Sequence, residues 1–196
     1  IEFVTISSEG NSINFGDLDD ERRNIEGLSS QTRGVFSGGS KPAIDNVIQF
    51  ITIASAGVDA QDFGDLQASE ARVFLATAES TTRGLFAGGY AGPSPLDGVN
   101  TIGYITIAST GDAQNFGDLF TGAYSQGGTS SNTRAIFAGG ADGPAGGDMK
   151  NVIEYVTIAS LGNAQDFGDL TGANENIRGT SNKVRGVFAG GYQPSF

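Results

Sequence analysis

Three short segments recur four times along the chain in the same order, and each alternates or groups its apolar residues as a β-strand does. The first comprises IEFVTIS, IQFITIAS, IGYITIAS and IEYVTIAS, which begin at Ile1, Ile48, Ile102 and Ile153. The second comprises INFGDL, QDFGDL, QNFGDL and QDFGDL, whose aromatic residues are Phe15, Phe63, Phe116 and Phe167. The third comprises TRGVFSGG, TRGLFAGG, TRAIFAGG and VRGVFAGG, whose arginines are Arg33, Arg83, Arg134 and Arg185. Alternation at period two predicts strands with one apolar face.

The spacing of these segments predicts a repeated unit of about fifty residues. Successive arginines lie 50, 51 and 51 positions apart, and the phenylalanines lie 48, 53 and 51 positions apart. A further apolar segment precedes each arginine, as in ARVFLATAES and GAYSQGGTS. Each unit therefore contains four predicted strands, joined by turns rich in Ser, Gly, Asn and Asp.

Repetition of a four-stranded antiparallel sheet at this period is typical of a β-propeller. We predict an all-β fold, a small propeller with four blades of four antiparallel strands, in a single domain over 1–196. The predicted units are about 19–66, 67–119, 120–170, and 171–196 joined with 1–18. In this register we expect the N- and C-terminal strands to pair and close one blade, which leaves no sheet edge free. The competing interpretation is four units of a larger ring.

A four-bladed ring is crowded at its axis, so its innermost strands are expected to carry small residues. The candidates are Gly27, Ala76, Ala78, Gly127, Gly128, Gly179, Thr180 and Ser181.

The order of strands, glycine pairs and aromatic residues resembles the Kelch repeat. The glycine pairs are Gly38-Gly39, Gly88-Gly89, Gly139-Gly140 and Gly190-Gly191, and the aromatic residues that resemble those of the Kelch third strand are Phe3, Phe50, Tyr104 and Tyr155. The phenylalanine of FGDL stands where that family has a tryptophan, which is a departure. The amino-acid sequences of the repeats also resemble those of repeat proteins predicted in marine bacteriophage virions or tails. That resemblance implies a viral structural or receptor-binding part.

The amino-acid composition lacks the residues that most catalytic mechanisms use. The chain has 31 Gly but no Cys, His or Trp. Without thiols or imidazoles there is no usual partner to activate the many serines and no usual zinc ligand. We therefore predict that the protein is not an enzyme and holds no cofactor and no metal.

The formal charge is -11, and the basic residues are scattered singly. Such a surface repels phosphate backbones and anionic lipids, so nucleic acid is not an expected partner. No apolar run reaches the roughly 18 to 20 residues of a membrane span, so no membrane insertion is expected.

Two fourfold sets of opposite charge stand out among the repeated residues. They are Arg33, Arg83, Arg134 and Arg185, and Asp17, Asp65, Asp118 and Asp169 of the FGDL segments. One interpretation is a charged ring that binds an ion. The interpretation we favour is structural: an arginine-to-aspartate bridge, or an aspartate that accepts turn amides, repeated because the unit is repeated.

Two acidic loops are candidate calcium sites because they carry oxygen ligands. They are ADGPAGGDMKN, with Asp142 and Asp148, and GPSPLDGVN, with Asp97. Neither matches the EF-hand pattern, and we expect solvated turns instead. A pair of carboxylates could also hydrolyse glycosides. Most acidic residues recur in register, however, whereas a catalytic centre usually breaks symmetry.

The segments that differ between units lie on one predicted face. In an antiparallel blade, the connections from strand two to three and from strand four to the next strand one emerge together. Variable loops on a rigid scaffold commonly carry function. The candidate contact residues there are Tyr90, Asp97, Tyr124, Asp142, Lys150 and Tyr192.

These features predict a non-catalytic structural or binding module, either associated with a virion as a tail or fibre part or secreted. Its expected location is the virion or the extracellular space. The expected partner is a protein or a cell-surface glycan, and a homo-oligomer or a larger assembly is compatible with this role. The alternative is a stand-alone glycan-binding lectin, and the third is a glycoside hydrolase-like enzyme.

Overall fold

The computed structural model describes residues 1–67, 71–92, 97–143, 148–182 and 184–193. Regular structure in these residues is β throughout, with no helix and hence none that could cross a membrane. The strands are β1 (Glu2–Phe3), β2 (Ile13–Asn14), β3 (Glu26–Ser29), β4 (Arg33–Ser37), β5 (Ser40–Lys41), β6 (Ala43–Ile44), β7 (Val47–Thr52), β8 (Gln61–Asp65), β9 (Ala76–Glu79), β10 (Arg83–Ala87), β11 (Thr101–Thr106), β12 (Gln114–Asp118), β13 (Gly127–Ser130), β14 (Arg134–Ala138), β15 (Ala141–Asp142), β16 (Asp148–Met149), β17 (Val152–Thr157), β18 (Gln165–Asp169), β19 (Glu175–Ser181) and β20 (Gly186–Tyr192).

Three four-stranded antiparallel sheets follow one plan. The first sheet has the order β3-β4-β7-β8, the second β9-β10-β11-β12, and the third β13-β14-β17-β18. The second and third strands of each sheet keep one register, in which Arg33 lies opposite Thr52, Arg83 opposite Thr106 and Arg134 opposite Thr157. The prediction of repeated antiparallel strands is confirmed, and the equal registers follow from the equal sequence patterns.

A residue with a left-handed backbone stands at the start of each unit, two positions before β3, β9 and β13 and second in β19. The four residues are Asn24, Phe74, Ser125 and Asn176, with φ of 59°, 57°, 57° and 57°. Asn adopts this conformation readily, but a bulky residue such as Phe74 rarely does. The repetition indicates that the bend is required by the way each unit follows its predecessor.

The core lies between neighbouring sheets. Phe63 of the first sheet and Ile107, which follows β11 of the second, belong to one buried cluster. Phe116 of the second sheet and Ile158, which follows β17 of the third, belong to the other. Each sheet therefore buries an apolar face against the next one along the chain, as sheets with two apolar faces must.

The first strands of the units lie side by side, so β9 contacts both β3 and β13, and β13 contacts β19. Small residues allow this approach, because a Cβ on Gly128 would overlap the carbonyl oxygen of Thr77, and one on Gly179 would overlap that of Gly128. The small residues predicted for the innermost strands fall on these four strands.

The terminal strands differ from the prediction that they pair and close one blade. Within the described residues, β1 pairs with β2 and β20 pairs with β19, and these remain two separate two-stranded sheets. The N-terminal hairpin, residues 1–18, is anchored on the first sheet, where the Gly57 amide donates to the Phe15 carbonyl. The C-terminal hairpin, β19 and β20, packs on the third sheet. Each hairpin is therefore held by a different neighbour.

The close approach at Gly128 gives a testable prediction. Gly128→Ala is expected to lower the free energy of unfolding by about 1–3 kcal/mol, since the added methyl meets backbone rather than a movable side chain. Gly27 is the matched control, because it holds the equivalent position in β3 and an added Cβ there would make only ordinary contacts of 3.6 Å or more. Thermal and urea unfolding should separate the variants. Equal stability of Gly128→Ala and the wild type would contradict the packing of β13 on β9.

Candidate functional site

The loop-rich face is formed by the connections between the second and third strands of each unit and by the linkers that lead to the next unit. These connections touch each other: Tyr124 forms an isolated bridge with Ala141, and Tyr90 forms bridges with Val73 and Gly98. The turns within each strand pair lie at the opposite ends of the strands and form the turn face. The irregular segments of the chain are therefore held against one another by backbone hydrogen bonds.

Two predicted contact residues, Tyr90 and Tyr124, meet edge to face with ring centroids 6.4 Å apart. The Tyr124 hydroxyl donates to the Gly143 carbonyl at 3.0 Å, and only 9% of this residue is exposed. Burial raises the pKa of Tyr124, and the nearby Glu175 and Asp142 charges raise it further. Tyr124 therefore acts mainly as a support for the loops, and Tyr90 is the more accessible ring of the pair.

Asp142 links two loops. Its carboxylate accepts the Gly98 amide at 2.9 Å and lies 3.8 Å from the Lys150 ammonium. No group of three or more metal-ligating side chains occurs in the described part of the chain. Its contacts give Asp142 a structural use, since an aspartate that accepts a loop amide fixes the loop.

The other two predicted contact residues stand apart from this cluster. Asp97 is exposed beside Gly98. Tyr192 lies at the end of β20 opposite Glu175 and is 56% exposed. The structure thus brings together Tyr90, Tyr124, Asp142 and Lys150, and leaves Tyr192 on the C-terminal hairpin.

Phe120 is the exposed aromatic residue that sequence reasoning missed. It lies in the linker from the second to the third sheet and is 77% exposed. The equivalent positions after FGDL hold Asp19, Gln67 and Thr171, so Phe120 breaks the repeat. Comparison of the four units at this position was the signal that could have identified it.

A buried carboxylate fixes the Phe120 segment. Glu154 is 2% exposed and accepts the Phe120 amide at 2.5 Å. Burial raises the pKa of Glu154, against the hydrogen bonds from the Phe120 and Thr121 amides and the Lys150 charge, which lower it. The equivalent residue of the first sheet is Gln49, whose side-chain oxygen accepts the Asp19 amide.

A second charged cluster lies on the same face of the first unit. The Lys41 ammonium is within 3.5 Å of carboxylate oxygens of Asp19, Asp20 and Asp45, and Arg22 contacts Asp19 and Asp45. Burial alone would raise the pKa of Asp45, but the amide of Val47 and the charge of Arg22 hold it below its ordinary value. Three carboxylates, Asp19, Asp20 and Asp45, surround the two cations Lys41 and Arg22, so the cluster carries excess negative charge.

The repeated arginines join neighbouring units without the predicted partner. The guanidinium groups of Arg33, Arg83 and Arg134 lie over the rings of Phe50, Tyr104 and Tyr155 at 4.4 Å, 4.6 Å and 4.4 Å. Arg33 also donates to the Ile107 carbonyl at 2.8 Å, and Arg83 to the Ile158 carbonyl at 2.7 Å. Cation–π stacking and a charged hydrogen bond thus combine at Arg33 and Arg83, whereas the Arg134 guanidinium makes the ring contact. Arg185 is exposed on the C-terminal hairpin.

The repeated aspartates contribute through their backbone. The amides of Asp17, Asp65 and Asp118 donate to side chains of the next turn, namely Asp59, Asp112 and Asn163, at 3.0, 3.0 and 3.1 Å. Among the described residues, no ion pair joins this set to the repeated arginines, and Asp169 is exposed. In the described residues, the predicted arginine-to-aspartate bridge is therefore replaced by two separate kinds of inter-unit contact, one made by the arginines and one by the aspartate amides.

A cavity of about 350 Å³ opens on the turn face, and the turns between first and second strands of all four units line it. The hydroxyl oxygens of Ser30, Ser80 and Ser131 accept the arginine amides of their turns at 3.1 Å. Burial raises the pKa of Glu79, which also lines the cavity. A wall of hydroxyl, amide and one carboxyl group suits a small hydroxylated ligand.

No model of a known protein family matches this sequence, and no curated protein shows significant similarity to it. The Kelch-like and phage-like resemblances therefore stay predictions.

Glu154 gives a prediction about pH. Because its folded-state pKa is raised above the ordinary 4.5, its contribution to stability is present below that value and is lost as the pH rises through the folded pKa. Glu154→Gln should therefore gain thermal stability over the wild type at pH 7 and little at pH 4. Gln49 shows that glutamine fits the site. Melting curves at both pH values test this, and an equal effect at both would contradict it.

The Arg83 junction gives a second prediction. Arg83→Ala should lower the free energy of unfolding by about 1–3 kcal/mol, because the stacking and the inter-unit hydrogen bond are both lost. A double-mutant cycle with Tyr104→Leu should give a coupling of about 0.5–1 kcal/mol. Additive effects in urea unfolding would show that the ring contact contributes nothing.

Proposed function

We propose that the four units form a four-bladed propeller, and that it works as a non-catalytic structural or binding module in a virion tail or fibre or outside the cell. Equivalent turns of all four units line one cavity, which supports a common axis. The three complete sheets share one strand order and one register, which supports their equivalence as blades. The module binds a protein partner through its loop-rich face.

The single observation that carries this proposal is the asymmetry between the two faces. The turn face repeats the same hydrogen bonds from unit to unit, as in the turns of Ser30, Ser80 and Ser131. The loop-rich face carries the residues that break the repeat, above all Phe120. A solvent-exposed aromatic ring on a rigid and otherwise polar support is typical of a binding hot spot.

The chemistry of two carboxylates supports a role without catalysis. Buried Glu154 accepts amides of the Phe120 segment, and half-buried Glu26 contacts the Arg178 guanidinium. Both therefore have structural partners, whereas the carboxyl group of Glu79 lines the cavity on the turn face. The chain also has no histidine or cysteine to supply a base or a nucleophile.

The acidic character of the face defines the kind of partner. Asp19, Asp20 and Asp45 surround Lys41, and the whole chain carries a charge of -11. A protein surface with an apolar pocket for Phe120 and a neutral or basic rim would complement it. Nucleic acid and anionic membranes would be repelled.

The first experiment is mass spectrometry of purified natural particles that carry this protein, with copy numbers of all components. Stoichiometric incorporation is the expected result. Absence from any assembly would reject the structural role.

The binding prediction concerns Phe120. Phe120→Thr should weaken partner binding at least tenfold with little change in melting temperature, because Thr171 occupies the equivalent position. Leu161→Thr is the matched control, since Leu161 is an exposed apolar residue on the turn face and Thr110 is its equivalent. Binding of both variants to the partner recovered from purified particles should be measured by surface plasmon resonance. Equal losses in both variants would contradict binding through the loop-rich face.

The second candidate is a stand-alone glycan-binding lectin, and two observations favour it. Phe120 offers an exposed ring of the kind that stacks on sugars, and the cavity on the turn face offers hydroxyl and amide groups. A glycan array with the isolated protein distinguishes this function from the first. A lectin should bind sugars without any other particle component.

A further inference from the structure

Two strand edges carry the sequence of paired strands but pair with no other sheet within the described residues. β20 lies in RGVFAGGY, which contains the segment that forms the second strand of each complete sheet, and β1 lies in IEFVT, the segment that forms the third. In the first, second and third sheets these two segments are always neighbours, as β4 with β7, β10 with β11, and β14 with β17. A free edge exposes backbone groups that three other copies of the same pair satisfy.

The complete sheets define how the two edges would meet. Leu85 lies opposite Tyr104, and Val35 lies opposite Phe50. The equivalent pair is Val187 opposite Phe3. The same register would set Arg185 opposite Thr5, with its guanidinium over the Phe3 ring, as Arg33 lies over Phe50. The arginine that lacks a described partner would thereby gain the partner that the others have.

A cleft matches one residue of the N-terminal hairpin. Ile6 is 98% exposed, whereas its equivalents Ile107 and Ile158 are 1% and 2% exposed between sheets and Ile53 of the first sheet is 46% exposed. Beside the third sheet lies a cleft of about 300 Å³, lined by Arg134, Ile136 and Phe167 and by residues of the C-terminal hairpin. These are the counterparts of the residues around Ile107 and Ile158, and Arg134 would reach the Ile6 carbonyl as Arg83 reaches that of Ile158.

A contact between turns of neighbouring units is also missing at this junction. A Cβ on Gly64 would overlap Gly111, and one on Gly117 would overlap Gly162, because the units approach closely there. At Gly168, the corresponding position of the open junction, nothing lies within 4 Å of an added Cβ. Three contacts are therefore missing at the same junction: the pairing of β1 with β20, the filling of the cleft by an isoleucine, and the glycine contact. Residues 1–18 would supply the missing half of each.

We propose that the N-terminal hairpin of the same chain is the occupant, and that β1 pairs with β20 in the register of the complete sheets. Both halves already flank the gap. The N-terminal hairpin is fixed on the first sheet through Phe15, and Arg178 of β19 contacts Glu26 of β3 in that same sheet. An intramolecular partner at this position has a far higher effective concentration than a second copy. This inference rests on the proposed ring of four units.

The test uses disulfide cross-linking, which is clean because the chain has no cysteine. Val187→Cys with Phe3→Cys should oxidise to an intramolecular disulfide, since facing strand residues fall within the required Cα range of about 4.4–6.8 Å. Leu85→Cys with Tyr104→Cys is the reference pair in a complete sheet. Val187→Cys with Val4→Cys, one residue out of register, should oxidise far more slowly. The products are read by non-reducing mass spectrometry of the full chain.

Monomer cross-linked in the expected register, at a rate within about threefold of the reference pair, supports the proposal. Absence of a cross-link overturns it. Cross-links only between chains also overturn it, because the occupant would then be a second copy.

A second measurement needs no cysteine. Ile6 and Leu161 are 98% and 58% exposed, so both should tolerate aspartate if the hairpins stay apart. Closure predicts that Ile6→Asp lowers the melting temperature by several degrees, whereas Leu161→Asp leaves it unchanged, because the equivalents of Leu161 are the exposed residues Glu9, Ala56 and Thr110. Equal melting temperatures for the two variants overturn the inference. Incorporation into particles and the Phe120→Thr result are independent of this outcome, so the proposed function can fail or stand separately.

Discussion

The burial of each sheet against the next unit is the interaction on which the rest of this structure depends. A four-stranded sheet with two apolar faces cannot be covered by its own loops, so Phe63 needs Ile107 and Phe116 needs Ile158. Arg33 and Arg83 secure the same junctions, because each guanidinium stacks on a ring of its own sheet and donates to a carbonyl of the next. The close glycine contacts follow from this packing, since the sheets can approach only where side chains are absent.

The same interaction explains why the two faces of the molecule differ. Residues at the junctions are constrained by two neighbours, so the turns and strands repeat almost unchanged. The connections on the loop-rich face contact each other and a few strand side chains such as Glu154, and there the chain carries Phe120, the Tyr90 and Tyr124 pair, and the Lys41 cluster. Rigid junctions with variable connections are the usual arrangement for a binding scaffold.

The terminal hairpins show what happens where the packing of one unit on the next is incomplete. The N-terminal hairpin packs on the first sheet, and the C-terminal hairpin packs on the third sheet and contacts Glu26 of the first through Arg178. Residues that a paired neighbour would cover, such as Ile6, are exposed, whereas Phe120 is exposed separately on the loop-rich face. Pairing of the two hairpins would give all four units the same packing against their neighbours.

The sequence by itself determined the strands, their antiparallel order within each unit and the small residues of the inner strands, because period-two alternation and the fifty-residue repeat are local properties. It did not identify the partners of the arginines, since a ring and a carbonyl from another unit meet only through packing. It selected Tyr124 as a contact residue and passed over Phe120, because exposure is decided by which neighbours cover a side chain. The left-handed bend at Phe74 and the gap between β1 and β20 were likewise decided by the tertiary structure alone, where the placement of whole sheets outweighs local preference.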